Sequence, residues 1–313
     1  MSIIRGIYKF DYMGHMKWWF ALSAIIIGVG LISLAVQGLN YGLEFKEGTR
    51  IAVAFESKPS LAEVRSVVAD KGYPDAQIQE VSAVGGTSLP GFQIQVETLT
   101  PAEQAELKQA LDDKFTIATQ NGTPEYASET VGPTFGSEVV SSSYKAALLA
   151  LLLIMAYVAF RFQWKFGVGA IAAEIHDLLV VVGVYSLTGR EVTTATIAAV
   201  LTILGYSLYD TVIVFDRIRE NEGTLGRLPY ADVVNRSIWQ TLTRSINTTV
   251  TVLLPVLMLL LFGGTTLTDF AFALLVGIVS GAYSSIFVAS PVVTLLKQRE
   301  PQYRRLAARA GQS

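Results

Sequence analysis

The chain has 313 residues, of which 51% are hydrophobic and 16% charged, with a formal net charge of −2. Soluble domains carry about 25% charged residues, so this composition points to lipid, and the slight acidity gives no reason to expect nucleic-acid binding. There is no cysteine and there are two histidines, His15 and His176, which excludes disulfides, thiol catalysis and Cys-based metal sites and argues against a histidine-built zinc site.

Runs of about 20 apolar residues are long enough to cross a bilayer core. The first, Trp18–Val36, follows a short segment over residues 1–17. It has no Ala-x-Ala exit and reads as a retained span rather than a cleaved leader. A polar stretch over residues 37–143 reads as an α+β domain. Within it Arg50–Glu56 alternates as a strand, and Ser60, with Glu63 three residues on, forms the capping box of a helix to about Asp70. Ala76–Val81 and Phe92–Glu97 read as strands around the turn-rich Gly85-Gly86 and Pro90-Gly91. Thr100, Pro101 and Glu103 open a second helix to about Asp112. Phe115–Thr119 and Tyr126–Val131 read as one strand or two, joined at Asn121-Gly122. The order β-α-β-β-α-β is that of a ferredoxin-like fold, a scaffold that says nothing of function alone.

Five further runs follow at Tyr144–Phe160, Phe166–Leu187, Val192–Phe215, Ser245–Phe262 and Phe270–Leu296, then a tail over residues 297–313. The expected architecture is a membrane all-α bundle of six transmembrane helices, with an extracytoplasmic α+β ferredoxin-like domain between the first and second. Fewer, re-entrant segments are the alternative. Cations cluster before the first span (Arg5, Lys9, Lys17), between the second and third (Arg161, Lys165), between the fourth and fifth (Arg217, Arg219, Arg227, Arg236, Arg244) and in the tail (Lys297, Arg299, Arg304, Arg305, Arg309). The intervening loops Gly189-Arg190-Glu191 and Gly263–Asp269 are poor in cations. Positive loops stay in the cytoplasm, which places both termini inside and residues 37–143 outside.

Ionisable groups inside a span are expensive and ask for partners. Asp210 lies in an otherwise apolar fourth span, and Tyr206, four residues before it, shares its face. It reads as a functional acid, as a carboxylate at the cytoplasmic border, or as a helix–helix hydrogen bond. Gln240, Arg244, Asn247 or Thr248, and Thr251 fall on one polar stripe at the start of the fifth span. Arg244 keeps its proton and, if buried, needs a carboxylate, for which Asp210 is the natural candidate. Otherwise it anchors the helix in headgroups. In the third span, His176 and Asp177 are adjacent and are expected on different faces. Either Asp177 faces Asp210 across the bundle, or the helix starts late and leaves Glu174 in water.

No Gly-x-Ser-x-Gly, His-Glu-x-x-His or Gly-x-x-x-x-Gly-Lys motif is present, so no catalytic residue, metal or nucleotide cofactor is expected. Gly85-Gly86 is a turn. Gly277-x-x-x-Gly281-x-x-x-Ser285 is a small-residue stripe that lets helices approach closely, inside the bundle or against a partner subunit.

Several stretches together resemble the SecF family of protein-export membrane proteins, within the resistance-nodulation-division superfamily. Gly42-Leu43-Glu44-Phe45-Lys46-Glu47-Gly48-Thr49 is similar to that family's Gly-x-Asp-Phe-x-Gly-Gly-Thr, with Glu in place of Asp and one glycine lost. Val131-Gly132-Pro133, Arg161-Phe162-x-Trp164 and His176-Asp177 match in place. Gly205-Tyr206-Ser207-x-x-Asp210-Thr211-Val212-x-Val214-Phe215-Asp216-Arg217-Ile218-Arg219-Glu220 matches most strongly, with Tyr209 where the family usually has Asn. Asn235-x-Ser237-x-x-Gln240-Thr241-Leu242-x-Arg244-x-Ile246-Asn247-Thr248 completes the set. The resemblance implies a bacterial inner-membrane protein that pairs with SecD, associates with the SecYEG channel and commonly YajC and YidC, and uses protons as the coupling ion to move an unfolded preprotein. It places Asp210, Arg244 and Asp177 in the proton pathway, supported by Tyr206, Ser207, Thr211, Gln240, Asn247 and Thr248. Half of a proton-coupled exporter of lipids or small molecules, and a passive translocon scaffold, are the alternative readings.

Overall fold

The computed structural model describes residues 10–45, 48–81, 90–120, 122–161, 163–225 and 228–310. Arg5, Lys9, Lys46, Glu47, Gly85, Gly86, Asn121, Phe162 and Arg227 therefore lie outside the described residues. The chain divides into two compact units: Tyr41–Tyr144 with Gly263–Leu267, and a helical unit made of the remainder.

The first unit is a four-stranded sheet carrying two helices. Its strands are β1 (Gly48–Val53), β2 (Gln77–Val81), β3 (Gly91–Val96) and β4 (Tyr126–Val131), in the spatial order β2-β3-β1-β4 with every neighbour antiparallel. Alternation drives the pairing. Ile51 and Val53 of β1 and Phe92, Ile94 and Val96 of β3 all point into the core, and Ile51 lies opposite Ile94. Helix α2 (Leu61–Asp70) buries Val64, Val67 and Val68; helix α3 (Pro101–Phe115) buries Leu107, Leu111 and Phe115. Both spacings put one apolar stripe on the sheet.

Each of these helices opens with a capping box. The Ser60 and Thr100 amides donate to Glu63 and Glu103 at 2.8 and 2.7 Å. Those hydrogen bonds, the backbone one first, hold both carboxyls below their usual range. Two local expectations are corrected. The second helix runs to Phe115 instead of stopping near Asp112, because Phe115 completes its buried stripe. Phe115 is thus no strand residue, and Thr119–Gln120 pairs only with Thr123–Pro124. Thr49, in the family-like opening signature, is fully buried and accepts from the Leu99 amide at 2.9 Å. That gives the position a structural reason.

Among the described residues six helices are long and apolar enough to cross a membrane. They are α1 (Met16–Gln37), α4 (Pro133–Arg161), α5 (Trp164–Thr188), α6 (Thr194–Leu225), α7 (Tyr230–Phe262), and a sixth rod made of α8 (Gly264–Ser284), a π-helical turn at Ser285–Ala289 and α9 (Ser290–Lys297). A last helix, α10, covers Pro301–Ala310.

Small residues set the closest approaches. A Cβ on Gly30 of α1 would lie 2.8 Å from the Gly183 Cα of α5, so the two backbones touch. Ser33 and Ser186 hydroxyls meet beside that crossing at 2.8 Å. In the sixth rod, Gly277 sits against Ile203 and Gly281 against Ser207, both on α6 of the same chain. Ser285 Oγ and Ser290 Oγ donate to the Gly281 and Ser285 carbonyls at 2.9 Å each, filling acceptors around the π turn.

Most of the cationic stretch between the fourth and fifth apolar runs is helical rather than a loop. Helix α6 continues to Leu225 and α7 starts at Tyr230. The reason is amphipathicity: Val214, Phe215 and Ile218 on α6, and Tyr230, Val234 and Ile238 on α7, belong to one buried cluster. The stretch expected as the loop Gly263–Asp269 is helical from Gly264, and Asp269 Oδ1 on α8 meets Arg190 Nη1 at 2.8 Å.

Candidate functional site

Asp177 is fully buried near the middle of α5. Its Oδ2 accepts from Ser207 Oγ of α6 at 2.6 Å and from Ser284 Oγ of α8 at 2.8 Å; its Oδ1 accepts from Ser280 Oγ at 2.5 Å. These three donors replace the water that a carboxylate loses in an apolar bundle. Asp177 thus meets serine hydroxyls rather than Asp210. The expectation that His176 points elsewhere is corrected. His176 Nδ1 lies 3.2 Å from Asp177 Oδ1, because rotation of the imidazole about its own side-chain bonds spans the difference between adjacent Cα–Cβ directions. A face of the ring stacks on Tyr283 with centroids 5.7 Å apart. The alternative of a late helix start is also overturned: α5 begins at Trp164, and Glu174 is 1% exposed.

Asp210 sits one turn along α6 from Ser207 and is likewise buried. Its Oδ1 accepts from Ser245 Oγ of α7 at 2.9 Å, while Oδ2 has no hydrogen-bond partner among the described residues. Arg244, next to Ser245, is exposed, and its Nη2 donates to the Tyr209 hydroxyl at 3.2 Å. The two helices therefore meet on two neighbouring rungs, a buried Asp210–Ser245 and an exposed Tyr209–Arg244. The expected Asp210–Arg244 contact is replaced by this stagger, since consecutive residues on a helix diverge by about 100°. Tyr209, where the family usually carries Asn, supplies a hydrogen bond of its own.

The supporting residues separate into four groups. Ser207 and Thr211 lie on the buried stripe of α6, and the Thr211 hydroxyl meets Ser285 Oγ of the π turn at 2.8 Å. Tyr206 is half-buried and makes no hydrogen bond to Asp210. Thr248 Oγ1 turns back to the Arg244 carbonyl at 2.9 Å, and Asn247, which is exposed, lends its carbonyl to Thr251 at 2.8 Å. Gln240 belongs to another network, accepting from Arg217 Nε at 2.6 Å and Asn221 Nδ2 at 2.8 Å.

That network lies where α6, α7 and α9 converge. Lys297 Nζ reaches Glu222 at 3.4 Å, and Lys165 Nζ reaches Glu300 at 2.6 Å. Asn235 ties the pre-span segment to α7, accepting from the Met13 amide at 3.0 Å and donating to Asp11 Oδ1 at 2.7 Å. Sequence reasoning missed Ser280 and Ser284. Their signal was present, since two serines four residues apart flank the glycine stripe that was read for packing alone. Among the described residues no group of three His, Asp or Glu side chains is arranged to hold a metal ion.

Comparison with known proteins gives a consistent result. The family model described as protein export membrane protein SecD/SecF, C-terminal, matches residues 112–299. The protein translocase subunit SecF of Streptomyces coelicolor is 36% identical over 313 residues, covering 97% of this chain and 81% of its own length. The SecF of Magnetococcus marinus is 39% identical over 311 residues, covering 98% and 97%. The SecDF of Thermus thermophilus is 41% identical over 293 residues, and the chain spans 39% of that longer protein. The crystal structure of a Thermus SecDF, described as translocon-associated, superposes with a TM-score of 0.83 over 93% of this chain at 40% identity.

Proposed function

Because the chain belongs to the SecF family of protein-export membrane proteins, we propose that it forms the SecF half of a SecD–SecF unit that uses the proton motive force to assist SecYEG-dependent translocation. A multi-pass membrane protein of protein translocation is the common ground with its relatives. The longer SecDF relative, of which this chain matches one part, supports association with SecD. In this reading both termini are cytoplasmic in the bacterial inner membrane. The sheet unit is the extracytoplasmic ferredoxin-like domain that meets the unfolded preprotein, and YajC and YidC are further partners.

The observation that carries the proposal is Asp210: a buried acid on α6 with one oxygen held by α7 and the other open. A buried carboxyl group with few donors is tolerated when protonated and needs a counter-charge or further donors when ionised. Ser245 serves the first state. Arg244 serves the second by leaving the Tyr209 hydroxyl for the carboxylate. Exchange of the outer rung for the inner one rotates α7 against α6, and a proton sets which rung is made.

Magnitudes limit the device. One charge crossing about 150 mV releases roughly 3.5 kcal/mol, whereas moving a two-state element from 1:99 to 99:1 takes about 5.5 kcal/mol. One proton driven by voltage alone biases the motion; a pH gradient, a second proton or a small resting bias completes it. The test is proton conductance of a reconstituted SecD–SecF complex carrying Asp210→Asn. Conductance is expected to vanish together with proton-driven export, and conductance equal to wild type would reject Asp210 as the carrier.

A further inference from the structure

Glu174 lies on α5 one turn before Asp177, and three residues of helix put the two side chains on neighbouring positions of one face. The two carboxyls differ in every other respect. Asp177 receives three serine hydroxyls and His176 Nδ1. Glu174 is equally buried, yet among the described residues neither of its oxygens has a hydrogen-bond partner.

Among the described residues, the elements packed against α5 bring no hydrogen-bonding cation to Glu174. From Trp18 to Gln37 α1 carries no titratable residue, and neither does the π turn. The acids and phenols of α6 in this region are Tyr206, Tyr209 and Asp210; α8 brings Tyr283, which stacks on His176, and Asp269, which is paired with Arg190. The cations near the far end of α5 are engaged, Lys165 with Glu300 and Lys297 with Glu222. A carboxyl without donor or cation in such surroundings is stable as the neutral acid, whereas one wrapped in donors is stable as the anion. Environments that treat two neighbouring acids so differently assign the proton to one and the charge to the other.

We propose that Glu174 and Asp177 form a proton-binding dyad on α5, distinct from Asp210, in which Glu174 holds the proton and Asp177 holds the charge. With the proton on Glu174 the pair carries one negative charge; its loss would set two carboxylates side by side, so proton binding at Glu174 is coupled to the charge on Asp177. The dyad is then a second proton station beside the α6 site, and its part in transport rests on the reading of protons as the coupling ion.

The test is infrared spectroscopy of the reconstituted SecD–SecF complex across a pH series, with proton conductance measured on the same vesicles. The expected result is a protonated-carboxyl band at neutral pH that Glu174→Gln removes. Asp177→Asn, which takes away the neighbouring charge, should displace the pH midpoint of that band by about one unit or more, the coupling that defines an interacting pair. Glu174→Leu, an apolar stand-in for the neutral acid, should keep thermal stability near wild type while conductance loses one step of its pH profile. An unchanged band in Glu174→Gln, or a midpoint that Asp177→Asn leaves in place, overturns the dyad. Those readouts do not depend on Asp210→Asn, so either site can fail without the other.

Discussion

Asp177 and Asp210 are two buried acids on adjacent helices, and they are solvated very differently. Asp177 is saturated by hydroxyls from α6 and α8 and so ties three helices together. Asp210 has one hydroxyl on one oxygen and none on the other. A saturated carboxylate resists change, because each donor would have to find another acceptor. A half-solvated one can gain a proton or a cation without breaking a network. The same residue type thus serves as a fastener in one place and as a movable contact in another, and the number of donors decides which.

The largest test of that contrast is removal of the acids. Asp177→Leu leaves three serine hydroxyls without their acceptor and should destabilise the chain by about 3 kcal/mol, against about 1 kcal/mol for Asp210→Leu. Thermal unfolding in lipid nanodiscs reads both, and equal losses would dissolve the distinction. Removing donors is the next step. Ser245→Ala takes from Asp210 the hydroxyl that holds its Oδ1 and should cost about 2 kcal/mol, while Ser207→Ala leaves Asp177 two other hydroxyls and should cost about 1 kcal/mol. The reverse order would place the movable contact at Asp177.

The smallest effect on stability is expected from Tyr209→Phe, below about 1 kcal/mol because the rung is exposed. Its value lies elsewhere. Without the phenol, Arg244 loses its resting partner, and the pH profile of proton conductance should shift. An unmoved profile would remove the outer rung from the mechanism.

Hydrophobic run length made the membrane helices legible in the sequence, and the Ser60–Glu63 and Thr100–Glu103 spacings located the starts of both helices in the sheet unit. Alternation at Ile51, Val53, Phe92 and Ile94 gave two of its strands. What stayed hidden was relational. Nothing in the sequence says that Ser280 and Ser284 reach Asp177 across a helix interface, because serine in a span signals close packing as readily as solvation of an acid. The partner of Arg244 depended on a stagger of one residue between α6 and α7, which no pattern within either helix encodes. The helical character of Arg217–Leu225 and Tyr230–Arg244 was obscured by their charge, whose spacing matters more than its amount. Glu174 was visible as a residue, but its isolation became visible only with its neighbours in place.

The widened turn at Ser285–Ala289 carries one residue more than an ordinary turn while the rod stays continuous on either side. It therefore works as slack. Deleting one residue among Ile286, Phe287 and Val288 would tighten it to regular helix and leave Ser280, Ser284 and Lys297 facing as they do now. The same deletion a few residues earlier would swing everything beyond it by about 100°. Length variation in this helix should be tolerated at that one place and nowhere near it.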